Sequence, residues 1–372
     1  MQSPPMLRRD QSMAARTTLA VGGPARWYAQ AANSAELVQL TQWAEHMDLA
    51  LLILGGGSNL LVADSGYEGL VLSHVDDHIS IEHLGNQALL RVGAGCTWDK
   101  LVAYAVNNDL AGIECLSGIP GSVGAAPIQN IGAYGQEIAE VLTCVHVLDI
   151  HSGTQRSIPP AECGFSYRHS HFKGEWKGRF IVTGVDLSLR MGPPAMPRYP
   201  ALRLHLAETH GPGVPTVEQI RRAVLAIRRQ KSMVLDPQDP NTRSAGSFFT
   251  NPVVPDALAD SVAAKAATEG PTRMPRWPAT AKHSKLSAAW LIEHSGFSKG
   301  FADGRVGLST KHCLALINRG GARAIDIARL AARIRLAVFE HYAVRLTPEP
   351  VFVGFHLPTN DLLDRLAQEQ QP

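Results

Sequence analysis

The chain has no apolar run approaching the roughly 20 residues that cross a bilayer, so no membrane span is expected. Behind Arg8 and Arg9 lies no apolar stretch of the kind a secretory leader carries, and the expected location is the cytoplasm. Charge of one sign is also lacking: 35 Lys and Arg face 33 Asp and Glu, a formal +2. Such a balance gives no global pull toward nucleic acid or anionic lipid. Cysteines number five, scattered and without a Cys-x-x-Cys pair, which argues against zinc knuckles and thioredoxin-like redox pairs. They read as free thiols in a reducing compartment. Neither Gly-x-Gly-x-x-Gly nor Gly-Lys-Ser/Thr occurs, so a Rossmann dinucleotide fingerprint and a Walker loop are both unsupported. No His-Glu-x-x-His completes a zinc motif, and no metal centre is expected.

What is present is a folded chain of 372 residues, 45% hydrophobic and 18% charged, long enough for two or three domains or for one large domain with an added lobe. Residues 1–15 read as a loose tail. Asn33 with Glu36 forms a capping box for a helix carrying Leu37, Leu40, Trp43 and Met47 on one face. Leu51–Leu54 is a buried strand, followed by short strands at 69–73, 79–82 and 88–92 and a helix over 98–108. Strands near 141–150 and 180–190 come next, then proline-rich connections at 192–200 and 211–215. Thr216 and Gln219 cap a helix whose apolar face is Val217, Ile220, Val224 and Ile227; its Arg221, Arg222, Arg228 and Arg229 read as a solvated face. Further helices are expected over 285–295 and 322–342, a strand over 351–355, and a polar tail at the end.

Glycine is concentrated in two stretches. The first, Gly55-Gly56-Gly57-Ser58-Asn59-Leu60, follows a strand and lets main-chain N–H groups approach an anion, although it also suits a tight turn without ligand. The second runs Gly118-Ile119-Pro120-Gly121-Ser122-Val123-Gly124-Ala125 and continues through Gln129-Asn130-Ile131-Gly132-Ala133-Tyr134. Two such stretches in one chain favour a large phosphorylated cofactor. Three smaller clusters carry candidate chemistry: Tyr167-Arg168, Ala245-Gly246-Ser247-Phe248-Phe249, and Pro348-Glu349-Pro350. Taken alone, Arg168 reads as a surface or ion-pair residue, Ser247 as a turn serine and Glu349 as an exposed acid at a strand entry.

Taken together and in this order, the motifs resemble the UDP-N-acetylenolpyruvoylglucosamine reductase family, over about Arg16 to Gly354. The resemblance implies an α+β fold: an FAD-binding module of the vanillyl-alcohol-oxidase type built from two α/β subdomains, 16–75 and 76–213, and an α+β substrate-binding domain over 214–356, followed by a tail at 357–372. It implies non-covalent FAD on both glycine stretches, with NADPH as co-substrate and the enolpyruvyl ether of UDP-N-acetylglucosamine as substrate. Ser247 matches the family's proton donor, and Arg168 and Glu349 the pair completing its active site. Tyr199 matches the substrate-binding tyrosine of the longer subclass, and Lys231, Asn251 and Lys285 the positions contacting the substrate's diphosphate and neighbouring groups. The chain departs from the family pattern at Thr17-Thr18, Lys231-Ser232-Met233, Thr250 and Pro350. It is expected to be a monomer without nucleic-acid or membrane partners. The alternative is another FAD-dependent oxidoreductase of the same module acting on an alcohol or sugar.

Overall fold

The computed structural model describes residue 4 and residues 6–211, 213–269 and 273–369. Strands and helices are mixed in the α+β manner expected. The chain divides into two compact units. One takes in the chain up to Gln11, Ala25–Gly57 and Glu68–Leu235; the other takes in Ser12–Pro24, Ser58–Tyr67 and the chain from Asp236 onward.

Among the described residues the first unit holds two large sheets and one two-stranded hairpin. A four-stranded one has the order Arg8–Ser12, Pro24–Ala31, Tyr67–His74, Leu51–Ile53, the last two running parallel. The helix Ser34–His46 covers it, burying Leu37, Leu40 and Trp43 with Leu70 and Leu72. Asn33 caps its start as the sequence indicates, its Oδ1 accepting the Glu36 N–H at 3.0 Å, but Glu36 Oε2 accepts the Ala32 N–H at 2.7 Å rather than that of Asn33, so the reciprocal half of the expected box is not made. The larger sheet is an antiparallel ladder in the order Gln155–Ile158, Leu142–Asp149, Phe180–Met191, Gln87–Gly93, Ile79–Leu84. Alternation puts Leu90, Val92, Val145, Val185 and Leu187 on one face, where Trp98, Leu101, Val102 and Ala105 of the helix Trp98–Asn107 meet them. Each such buried side chain contributes roughly 1.5–3 kcal/mol by leaving water. A helix pair, Pro200–His210 and Val217–Gln230, closes on Leu202, Leu206, Ile220, Val224 and Ile227.

The second unit is built around the helix Ala324–Tyr342, which buries Ile327, Leu330, Ile334 and Val338 against Phe248, Phe249, Leu286 and Leu316. Asp64 accepts the N–H groups of Ala324 at 2.7 Å and Ile325 at 3.1 Å, satisfying donors that a helix start leaves open. Leu60–Val62 pairs in parallel with Val351–Val353.

Several expectations are corrected. The N-terminal stretch is not all tail: Arg8–Ser12 is a strand, and the Arg9 guanidinium lies 4.3 Å from the Trp27 ring centroid. Nor is the C-terminal stretch. Thr359–Gln368 is a helix with Leu362, Leu363 and Leu366 buried, tied by Arg335, which donates to the Asn360 carbonyl at 3.3 Å and lies 3.2 Å from Asp364. The helix expected over 285–295 is a strand, His283–Leu286, followed by a helix Ala288–Glu293, because Ser287 caps the turn by accepting the Trp290 N–H. The helices Pro200–His210 and Asp256–Glu269 are additional. The compact units separate at Leu235 rather than at 213, since the capped helix Val217–Gln230 packs on Pro200–His210 and Cys115.

Candidate active site

In the first unit the two glycine stretches meet. A Cβ on Gly56 would stand 2.7 Å from the Gly121 Cα, and one on Gly55 would stand 2.5 Å from Ser122 Oγ and 3.5 Å from the Ala125 Cβ. Gly57, Gly118 and Gly121 have φ of 64°, 70° and 116°, a region that favours glycine. Gly124 is needed for a different reason: a Cβ there would fall 2.6 Å from the Ala94 Cβ. Residues 121–124 are laid against 94–98 by main-chain bonds, Trp98 N–H to Gly121 O at 3.0 Å and Val123 N–H to Cys96 O at 2.8 Å. Ile119 packs on the core of the large sheet, and Pro120 is half-buried.

Gly118 is held at both of its polar atoms. Asp99 Oδ1 accepts its N–H at 2.7 Å, and Arg228 donates to its carbonyl at 3.1 Å. Arg221 clamps Asp99 with two bonds of 2.7 and 2.8 Å. Arg228 also donates to the Met233 carbonyl at 2.9 Å, joining the second glycine stretch to the turn that carries Lys231. Burial raises the Asp99 carboxyl, but the Arg221 bonds and the Gly118 N–H outweigh it and leave the group below its ordinary value. Burial lowers the Arg228 guanidinium, opposed by Tyr134 and Asp99. The expectation of a solvated arginine face holds for Arg222 and Arg229 but is corrected for the other two: Arg228 is only 9% exposed and the Arg221 side chain 16%. Sequence reading missed Asp99. The available signal was an acid in the first turn of an amphipathic helix just upstream of the glycine stretch.

The stretch from Gln129 to Tyr134 turns sharply. Asn130, buried at φ 41°, donates to Glu137 Oε2 at 3.0 Å and to the Ser166 carbonyl at 2.9 Å, while its Oδ1 is buried with no donor among the described residues. Gly132 and Ala133 pair with Glu137 and Gln136 in a short hairpin. Arg168 joins this group: its Nη2 donates to the Gly132 carbonyl at 2.9 Å, and Lys173 bonds both Arg168 O and Gln129 Oε1 at 3.2 Å. Arg168 has φ 56°, a costly conformation for a side chain of this size and one that clusters at functional sites. Tyr134 and Tyr199 meet edge to face with centroids 5.3 Å apart. Lys231 caps the helix Val217–Gln230.

In the second unit, Ser247-Phe248-Phe249 lies beside Leu346–Glu349. The Glu349 N–H donates to Phe248 O at 2.9 Å, and the Thr250 N–H to Thr347 O at 3.1 Å. Asn59 Nδ2 donates to Glu349 O at 3.2 Å, and Asn59 O accepts the Val351 N–H at 2.9 Å. Ser247, Glu349 and Asn59 are thus neighbours although they are far apart in sequence. Gly246, at φ 71° with open space around it, makes the bend before Ser247, and Phe248 and Phe249 anchor the segment from below. Thr18 Oγ1 donates to Ser244 O at 2.6 Å, giving the Thr17-Thr18 departure a structural use. Asn251 and Lys285 are also adjacent: Val253 pairs with Lys285, Leu286 N–H donates to Pro252 O at 2.9 Å, and Asn251 Oδ1 accepts the Ala288 N–H at 3.0 Å. Ser58 and Leu60 are half-buried, Leu60 opening the strand paired with Val351.

A pair of touching backbone bends built on glycine, with the buried unsatisfied Asn130 Oδ1 further along the second stretch, fits a flavin nucleotide carrying a diphosphate and polar ring edges. Residues 25–158, which span both glycine stretches, match the model of an FAD-binding domain. The fold and the cradle therefore define a flavoprotein. Residues 237–353 match the C-terminal domain of UDP-N-acetylenolpyruvoylglucosamine reductase. The reductase of that name from Thermobifida fusca is 44% identical over 353 residues, 94% of this chain and 98% of its own; that from Salinispora arenicola is 46% identical over 91% of this chain and 93% of its own. A crystal structure of the Thermus caldophilus enzyme superposes with TM-score 0.63 at 27% identity, covering 93% of this chain and 98% of the other. The chain belongs to the UDP-N-acetylenolpyruvoylglucosamine reductase family.

Proposed function

We propose that this chain reduces the enolpyruvyl ether of UDP-N-acetylglucosamine to the lactyl ether, with NADPH as reductant, in peptidoglycan precursor synthesis. The observation that carries the reading is that Phe248, next to Ser247, pairs with Glu349, whose carbonyl accepts from Asn59. FAD, when bound to the glycine cradle, supplies the chemistry of accepting hydride from NADPH and passing it to the vinyl CH₂ carbon. The chain's own task is to complete the addition. Ser247 gives its hydroxyl proton to the carbon next to the carboxylate, so that one hydride and one proton together saturate the double bond. A serine hydroxyl is a weak acid in water, so its contribution depends on placement within about 3 Å of that carbon. Negative charge builds on the substrate carboxylate as hydride arrives. Arg168 and Glu349, the latter protonated, stabilise it with hydrogen bonds; the Arg168 guanidinium is held beforehand by the Gly132 carbonyl, and the Glu349 main chain by Phe248 and Asn59. Tyr199, Lys231, Asn251 and Lys285 hold the nucleotide sugar, and the residues from 214 to 356 supply most of its contacts. Among the described residues no helix is long and apolar enough to cross a membrane, and the reading places the chain in the cytoplasm as a monomer.

The test is anaerobic mixing of the FAD-loaded protein with NADPH and then with the enolpyruvyl sugar nucleotide. Flavin absorbance bleaches in the first step and returns in the second. Bleaching without return would overturn the substrate assignment.

A further inference from the structure

The antiparallel ladder of the first unit carries a second cluster of chemically active side chains. Cys144 and His146 lie two residues apart on Leu142–Asp149, a spacing that sends side chains to one face, and Asp186 is the direct partner of Cys144 on Phe180–Met191. The ladder is irregular on both sides of the pair, with register shifts between Leu142 and Cys144 and between His146 and Val147. Such bulges re-aim side chains and gather at functional sites. His146 Nε2 is 2.9 Å from Asp186 Oδ1, and its Nδ1 is 3.0 Å from Ser157 Oγ and 4.0 Å from Cys144 Sγ. One donor atom from each of Cys144, His146 and Asp186 lies within 4.8 Å of the other two. Gly184 stands opposite His146 in the ladder, and a Cβ there would be 3.8 Å from the ring, an ordinary contact.

We propose that Cys144, His146 and Asp186 bind a divalent transition-metal ion of the zinc class. A thiolate, an imidazole and a carboxylate form a donor set that suits zinc and its neighbours and does not suit magnesium or calcium. Cys144 and Ser157 face the Nδ1 of His146 and Asp186 faces its Nε2, so one ion takes one ring nitrogen, and the imidazole gives up a hydrogen bond and turns to bring all three donor atoms, already within 4.8 Å of one another, onto it. Ser157 Oγ or water fills the fourth position. The half-exposed site gives the ion an entry path; the other four cysteines are buried. The expectation of no metal centre rested on linear motifs, and this cluster joins strands 40 residues apart in sequence.

The experiment uses the full-length, FAD-loaded protein under a phosphine reductant. Co²⁺ is added and read at wavelengths beyond flavin absorption, where tetrahedral cobalt gives intense d–d bands, and Zn²⁺ binding is measured by calorimetry. The expected result is one Co²⁺ per chain, displaced by Zn²⁺, and a melting temperature raised by Zn²⁺. Cys144→Ser abolishes the intense bands and weakens Zn²⁺ binding by about 100-fold, and Asp186→Asn weakens it by about 10-fold or more. Both variants retain flavin, which reports that they are folded. Absence of tetrahedral bands in the unaltered protein, or their persistence in Cys144→Ser, would overturn the proposal.

Discussion

Asp99 holds the Gly118 N–H at 2.7 Å while Arg221 grips the same carboxylate with two bonds, so the backbone of the second glycine stretch is positioned by an ion pair. Asp99→Asn keeps an acceptor for Gly118 but gives up charge and symmetry toward Arg221. It is expected to weaken FAD binding by about 10-fold, corresponding to the 1–2 kcal/mol of a charge-assisted hydrogen bond, discounted because the Asp99 side chain is 41% exposed. Flavin fluorescence on dilution measures this. An unchanged dissociation constant would show that the pair only braces the helix.

The same carboxylate predicts an acid limit. The folded-state value of Asp99 lies below its ordinary one, so its stabilisation is complete above about pH 4 and is lost as pH falls through the depressed value. FAD retention by gel filtration is therefore expected to hold down to about pH 4 and to fall below it. In Asp99→Asn the contribution of this group to that acid dependence should vanish.

Gly55 and Gly56 make a contrast. Alanine at Gly56 meets the Gly121 backbone at 2.7 Å, which cannot move without undoing the second bend; alanine at Gly55 meets a hydroxyl at 2.5 Å, which rotates away. Gly56→Ala should purify colourless, whereas Gly55→Ala should keep flavin at several-fold lower affinity. Equal flavin content in the two would refute the touching cradle.

Ser247→Ala removes one oxygen atom and should leave bleaching by NADPH intact. Return of the flavin absorbance on adding substrate should slow by about 10²–10⁴, the usual worth of a positioned general acid. Stopped-flow traces of the two half-reactions separate the effects, and an undiminished second phase would remove Ser247 from the mechanism.

Arg168→Lys keeps the charge but loses the planar fork that reaches Gly132 O. Turnover should fall by about 10²–10³ with KM changed much less, because the lost interaction matters most when charge develops. A rise in KM alone would mark Arg168 as a binding residue only.

Much of the scaffold is legible in the sequence. The Asn33 cap, the strands 87–93 and 180–191, and the helices Val217–Gln230 and Ala324–Tyr342 follow from local capping and periodicity, and they stand where those signals put them. Thr359–Gln368 was hidden because only its Leu362, Leu363 and Leu366 are apolar enough to mark a face, and they lie within a polar composition. The burial of Arg228 could not be read from spacing, since a guanidinium enters a core only when carbonyls such as those of Gly118 and Met233 are waiting for it. The neighbourhood of Ser247 and Glu349 was approached only through resemblance; long-range pairing leaves no periodic trace.

That pairing also governs the order of assembly. Asn59 and the strand Leu60–Val62 find their partners 290 residues later, at Glu349 and Val351–Val353. At about 5–20 residues per second the ribosome leaves that strand edge open for about 15–60 s. The first unit has all of its chain by Leu235, so the nascent polypeptide can complete one half while the other waits for its C-terminus to emerge.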